Sequence, residues 1–229
     1  GLCHSVQGTA EMLARDLNEK IEDIDYLCAG INHMAFYKKF AKKNGNGGED
    51  LYPKLKKLAD DIVRDKITST RSIGKDSESD KVLHEKVRYE ILRRFGYFVT
   101  ESSEHFAEYV PWFIKQNRQD LIDQYKIPIE EYIDRCENNI KLWDDLEKDM
   151  TPIYNQPLKR GNEYASYIMD AVTNNNEITI NGNVMNDGYI DNLPSNCCVE
   201  VPCLINSNGN QPQKTGHLPE HLAALMRTN

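Results

Sequence analysis

The spacing of apolar residues along the chain alternates between helical and extended patterns. Apolar residues at helical spacing predict helices that begin near Thr9 and cover 55–62, 82–95, 125–146 with an interruption at Pro128, and 163–172. Apolar stretches that predict strands cover 26–40, 178–180 and 197–205. Because helices and strands are interleaved without regular strand–helix–strand units, the pattern predicts an α+β fold.

Polar segments separate these elements. The first predicted strand contains Asn32 and His33 near its middle and is followed by a glycine-rich turn at 44–48. The charged segment 68–80 is typical of a mobile surface loop. A helical pattern begins at His221 and stops with the chain itself, and no complete element precedes the first helix. We therefore expect the chain to be part of a longer protein with a partner domain.

The composition favours a globular protein with an uncharged partner. The 229 residues include 36 acidic and 28 basic side chains, for a formal net charge of −8, and 39% are hydrophobic. The negative charge would repel nucleic acid or an anionic membrane. No apolar run approaches the roughly 20 residues that span a bilayer, and no signal-peptide pattern opens the chain. We expect a cytoplasmic protein with neither a nucleic-acid nor a membrane partner.

The six cysteines lack the spacing of a structural zinc site and the density of a disulfide scaffold, so we expect reduced thiols. Cys3 lies just before the first predicted helix, where the helix dipole lowers the pKa of a thiol and favours the thiolate. His33 is the natural second metal ligand. A thiolate and an imidazole with 29 residues between them do not identify a metal, and these two residues alone favour an ordinary thiol and a core histidine on a strand.

Three segments carry a resemblance to a known family. Residues 1–8 read Gly-Leu-Cys-His-Ser-Val-Gln-Gly, residues 28–33 read Cys-Ala-Gly-Ile-Asn-His, and residues 186–194 read Asn-Asp-Gly-Tyr-Ile-Asp-Asn-Leu-Pro. In order and spacing they resemble glycoside hydrolase family 4, and 97–113 with Gly-His-Leu-Pro at 216–219 resembles its α-galactosidase (melibiase) branch. The resemblance covers essentially the whole chain. No Gly-x-Gly-x-x-Gly follows a strand, so we expect the dinucleotide-binding half of such an enzyme to lie outside this chain.

The resemblance implies a fold and an activity. Residues 1–229 would form the metal- and substrate-binding C-terminal domain, similar to that of lactate and malate dehydrogenases, with helices on an antiparallel or mixed sheet. The enzyme would be an α-galactosidase that uses NAD and a divalent ion, usually Mn²⁺. In this family NAD accepts a hydride from sugar C3, metal-assisted deprotonation at C2 follows, and the C1 substituent is eliminated before water adds. We expect the chain alone to be inactive and the full-length protein to form a homo-oligomer.

The resemblance also assigns residues around the metal. Cys3 and His33 match the metal ligands, and Asn32 matches a residue at the substrate edge of the site. His4 occupies the position of the leaving-group acid in the phospho-sugar branch, and a histidine can do this work near neutral pH. Helix capping or support of a ligand from outside the metal shell is an equally good role for His4.

The base that removes the C2 proton is expected among Glu104, His105 and Tyr109. At least two of these three residues must be structural or must support the ligands from outside. Asn183 and Asn186 are candidates for binding sugar hydroxyls, although asparagine in glycine-rich loops is typical of turns.

Other functions remain open at this point. An α-glucosidase or an α-galacturonidase of the same family fits the motifs, and so does the substrate domain of a dehydrogenase-like oxidoreductase, which would not need Cys3 and His33 together. A metal-independent binding or oligomerisation module predicts that these two residues lie far apart, whereas a metal site requires them within about 10 Å. A face that meets the NAD domain is also expected to expose Met34, Phe36 and Phe106.

Overall fold

The computed structural model of the chain describes residues 1–43, 48–72, 82–153, 157, 160–161 and 163–228. Two compact units are present, one formed by Gly1–Ile127 with Tyr164–Asn229 and the other by Pro128–Glu163. The helices and strands in chain order are α1 (Ser5–Asp16), β1 (Ile24–Ile31), β2 (Met34–Lys42), β3 (Glu49–Asp50), α2 (Tyr52–Val63), β4 (Thr70–Ser72), β5 (Val82–His84), α3 (Lys86–Phe95), α4 (Ser103–Tyr109), α5 (Gln119–Tyr125), α6 (Glu131–Ile153), α7 (Tyr164–Asn174), β6 (Ile178–Met185), β7 (Cys198–Asn206), β8 (Gly209–Pro212) and α8 (Glu220–Arg227). Helix α6 belongs to the second unit and the other elements to the first.

One antiparallel sheet organises the first unit. Its strands lie in the order β3-β2-β1-β7-β6, and β8 pairs with β7. Every pairing in it is antiparallel. Strands β4 and β5 form a separate antiparallel pair. The α+β prediction with helices on an antiparallel sheet is therefore confirmed.

The strand predicted over 26–40 is two strands. β1 and β2 form a hairpin in which Ile31 pairs with Met34, and Asn32 and His33 form its two-residue turn. His33, the second residue of this turn, adopts a left-handed backbone with φ of 63°, a conformation that reverses the chain direction in tight turns. The turn was missed because residues 28–30 and 34–37 on either side of it are all buried, so the apolar pattern continues across it.

Two predicted helices differ from the observed elements. The pattern over 82–95 begins with the short strand β5, and only 86–95 is helical. The pattern over 125–146 is split, since α5 ends at Tyr125 and α6 begins at Glu131, with the restricted backbone of Pro128 between them. Of the predicted loop 68–80, residues 70–72 form β4, and 73–81 lie outside the described residues.

The core of the first unit consists of two groups of buried side chains. One group packs α1 on the sheet through Val6 and Leu13, and it includes Cys28 of β1. The other group includes Phe36 and Phe106. The expectation that Met34, Phe36 and Phe106 are exposed is wrong, because they are 2%, 0% and 0% exposed.

Within the described ranges, no helix combines the length and apolar character needed to cross a membrane.

Candidate metal and catalytic site

Cys3 lies in the short segment between the edge of the sheet and α1. The backbone N–H of Asn183 in β6 donates to the carbonyl oxygen of Gly1 at 2.9 Å. Helix α1 begins at Ser5, whose hydroxyl oxygen lies 3.3 Å from the Cys3 Sγ. Because β6 and α1 hold this segment from both ends, the thiol has a defined position in front of the first turn of α1.

The segment after α3 delivers a carboxylate to the β1–β2 turn. The Tyr37 N–H donates to the carbonyl oxygen of Phe98 at 3.0 Å, and the Thr100 N–H donates to that of Ala35 at 2.9 Å. Residues 98–100 therefore run beside β2 like an added strand. The next residue, Glu101, is consequently placed at the end of the hairpin where β2 begins.

Three potential ligand atoms converge there. The Cys3 Sγ, a ring nitrogen of His33 and a carboxylate oxygen of Glu101 all lie within 4.8 Å of one another. The His33 Nδ1 lies 2.7 Å from the Glu101 Oε2, and the side chains of these two residues are 37% and 8% exposed. Sulfur, nitrogen and oxygen donors together suit a divalent ion of intermediate softness. The separation is short enough for a metal site, contrary to what a metal-independent module predicts.

Of the three base candidates, Tyr109 contacts this cluster. Its hydroxyl lies 3.0 Å from the His33 Nδ1, and burial, followed by nearby acidic groups, raises its pKa. His105 instead lies 3.6 Å from the exposed carboxylate of residue 108. Glu104 is buried at 3% exposure and interacts electrostatically with the buried Arg88. These contacts join His105 and Glu104 to residues outside the cluster, which favours structural roles for both.

His4 stacks on an aromatic ring. The His4 and Tyr164 rings are nearly parallel, with centroids 4.9 Å apart and an interplanar angle of 10°. His4 occupies the N-cap position of α1, but its side chain makes no capping hydrogen bond. Of the roles open to His4, capping therefore has no support from this geometry.

An open cavity of about 360 Å³ adjoins the cluster. It is lined by Ile31, Asn32, His33, Met34 and Tyr109. Asn32 is exposed, so its amide is available to a ligand in this cavity. The volume is in the range of small-molecule sites.

The two other asparagine candidates differ from Asn32. Asn186 is 1% exposed, its Nδ2 donates to three carbonyl oxygens within 190–194, and its Oδ1 accepts from the Ile190 N–H. The amide is thereby fully used in the turn, which corrects the expectation that Asn186 binds a sugar. The Asn183 Nδ2 donates to the Gly1 carbonyl oxygen at 3.4 Å.

Sequence reasoning missed Glu101. It lies three residues before Glu104 in the stretch 97–113 that carries part of the resemblance, but it reaches the cluster through the pairing of 98–100 with β2, which no local pattern reveals. The one available signal was the number of carboxylates in that stretch.

Comparison with known proteins identifies related chains. The model of the family 4 glycosyl hydrolase C-terminal domain matches residues 28–229. An α-galactosidase from Bacillus subtilis (strain 168) is 42% identical over 229 residues, which are 100% of this chain and 48% of that protein. The chain thus spans about half the length of this relative.

Solved structures agree with the fold. The crystal structure of the Bacillus subtilis protein lplD superimposes with a TM-score of 0.76 at 24% identity, covering 99% of this chain and 51% of that one. A 6-phospho-α-glucosidase from gut microorganisms, solved in complex with NAD and Mn²⁺, has a TM-score of 0.65 at 17% identity, covering 99% and 49%. At these identities the likeness establishes the architecture.

Proposed function

The chain belongs to family 4 of the glycosyl hydrolases, and from this membership we propose that it is the metal- and sugar-binding part of an α-galactosidase that works by NAD-dependent oxidation at sugar C3. The observation that carries the proposal is the convergence of Cys3, His33 and Glu101 within 4.8 Å. The chemistry would continue with metal-assisted loss of the C2 proton and elimination, then addition of water, at C1.

The donor set fits a catalytic divalent ion such as the Mn²⁺ in the related 6-phospho-α-glucosidase. A thiolate, an imidazole and a carboxylate leave coordination positions for a substrate, as catalytic metal sites do. When bound, the ion would act as a Lewis acid towards the sugar oxygens at C2 and C3. Glu101 would thereby join Cys3 and His33, the two ligands implied by the motifs.

Tyr109 is our candidate for the base at C2. Its hydroxyl lies 3.0 Å from the His33 Nδ1, so a sugar held at the cluster would lie within reach of the phenol. Asn32 would orient the sugar by hydrogen bonds from its exposed amide, and His4 remains our candidate for the acid at the leaving group.

The substrate class follows from similarity and from the cavity. A volume of about 360 Å³ lined by Ile31, Met34 and the polar groups of the site suits a small glycoside. The identity of 42% to an α-galactosidase over the whole chain favours an α-galactoside over the substrates of other members of the family. NAD would bind to the part of the full-length protein that lies outside this chain.

A chimera tests this proposal directly. The N-terminal half of the Bacillus subtilis α-galactosidase, followed by this chain, would be assayed with nitrophenyl α-galactoside, α-glucoside and α-galacturonide in the presence of NAD and Mn²⁺. We expect turnover of the galactoside, and none with this chain alone. Preference for another glycoside would reject the substrate class, and turnover without NAD would reject the mechanism.

Variants of the chimera test the site. Cys3→Ser, His33→Gln and Tyr109→Phe should each lower kcat by about 100-fold or more, as expected for loss of a metal ligand or a general base. His105→Gln is the matched control, because His105 belongs to the same helix as Tyr109 but pairs with an exposed carboxylate. Equal losses in His105→Gln and Tyr109→Phe would contradict the assignment of the base.

A further inference from the structure

Glu200 is a buried acid in the middle of the sheet. It is 0% exposed and lies in β7, directly opposite Gly30 of β1 and Asn183 of β6. Directly opposed residues project to the same face of a sheet, and Cys28 shares that face because it is two residues from Gly30. Cys28 packs in the core group that includes α1, so the Glu200 side chain lies beneath the helix that follows Cys3.

The carboxyl group of Glu200 has no visible partner. Neither of its oxygens has a hydrogen-bond partner among the described residues. Burial, and then the charge of Glu101, raises its pKa to about 7. Buried polar groups in folded proteins are nearly always hydrogen-bonded, and a buried carboxylate needs an opposite charge. The missing hydrogen-bond donor and the missing positive charge therefore indicate that a ligand binds beside Glu200.

The surroundings indicate what kind of ligand is missing. Glu200 lies opposite Gly30, three residues before His33, and opposite Asn183, whose N–H donates to the carbonyl oxygen of Gly1 just before Cys3. It is therefore close to two of the ligand segments, although it is outside the set of groups whose ligand atoms converge within 4.8 Å. The Oδ1 of Asn183, opposite Glu200, is also buried and has no hydrogen-bond partner within the described part of the chain. Acceptor oxygens without donors, beside an acidic ligand, match a positive charge.

Resting on the proposed function, we propose that Glu200 strengthens the binding of the divalent ion as a buried negative charge beneath the ligands, without ligating the ion itself. Outer groups of this kind change metal affinity by about 10- to 100-fold in other metal sites. The alternative is that Glu200 contributes only to packing, in which case an uncharged residue of the same shape would serve equally well.

Mn²⁺ binding to the 229-residue chain, measured by calorimetry, separates these roles. Glu200→Gln keeps the shape and removes the charge, and it should weaken Mn²⁺ binding by about 10-fold. Glu11→Gln is the matched control, because it removes one charge from α1 itself, where Glu11 accepts a hydrogen bond from Gln7. We expect the control to retain wild-type affinity within about twofold, since it has no part in the site.

Each outcome is decisive. Unchanged Mn²⁺ affinity in folded Glu200→Gln would overturn the inference while leaving the proposed function intact, provided that Cys3→Ser still abolishes binding. Equal weakening of Mn²⁺ binding in the Glu11 variant would mean that only the net charge of the chain matters, and it would also overturn the inference. If Glu200→Gln does not fold, Glu200→Asp should fold and retain part of the affinity, and complete retention would count against a position-dependent role. Absence of Mn²⁺ binding by the wild-type chain would overturn the proposed function and this inference together.

Discussion

Replacing Glu200 with glutamine should make the metal-free chain more stable at alkaline pH. Burial and the neighbouring Glu101 raise the pKa of Glu200 from its usual 4.5 to about 7 in the folded state. An acid whose pKa is raised by folding contributes stability that is present below pH 4.5 and is lost as the pH rises through 7. The difference of about 2.5 units corresponds to about 3 kcal/mol once the group is ionised in both states.

Urea unfolding with EDTA at several pH values between 5 and 8 would measure this effect. At pH 5 most of the energetic penalty for burying an ionised Glu200 is absent. The free energies of unfolding of the wild type and Glu200→Gln should then differ mainly by the constant effect of replacing the carboxyl group with an amide. Between pH 5 and pH 8 the free energy of unfolding of the wild type should fall relative to Glu200→Gln by about 2 to 3 kcal/mol. A difference that stays constant over this range would refute the reasoning, because it would mean that Glu200 has an unrecognised partner in the folded chain.

Three other predictions follow from contacts in the first unit. Asn186→Ala should lower the free energy of unfolding by about 2 to 3 kcal/mol in urea titrations, because it leaves buried groups of the 190–194 turn unpaired, yet it should not change Mn²⁺ affinity. Arg88→Met should cost about 3 to 5 kcal/mol, because it leaves the carboxylate of Glu85 buried without its cation, and adding Glu85→Gln should restore part of the loss. Mn²⁺ at 100 times its Kd should raise the free energy of unfolding by about 2.7 kcal/mol, and a similar rise in Cys3→Ser would contradict the metal site.

The helices and strands that are buried on one face only are the elements that the sequence predicts best. Helices α2 and α7 lie where apolar residues recur at helical spacing, and β7 coincides with the predicted strand over 198–205. The hairpin of β1 and β2 was not predicted because residues 28–30 and 34–37 beside its turn are buried on both faces and the turn contains no glycine. The periodicity of apolar residues identifies the buried face of an element, so it gives no signal where both faces are buried.

The site is predictable only in part, for a related reason. Cys3 and His33 fall in motifs that can be read directly, whereas Glu101 reaches them through the pairing of two segments that are distant in sequence. Glu200 left a different signal, since it is a single carboxylate inside the apolar stretch 197–205. A residue that breaks the local rule of its strand is most often found where function requires it.

The proposed metal ligands are held in place without a bound cation. The Thr9 hydroxyl of α1 donates to the Thr100 carbonyl oxygen at 2.7 Å, and the Arg88 Nη1 donates to both groups, at 2.6 and 3.2 Å. Helix α1 follows Cys3 directly and Glu101 follows Thr100 directly, so this buried network fixes two ligand segments relative to each other. Because little conformational freedom is left to lose on binding, more of the interaction energy appears as affinity. The buried network on one side of the sheet would therefore contribute to the proposed metal chemistry at the edge of the sheet.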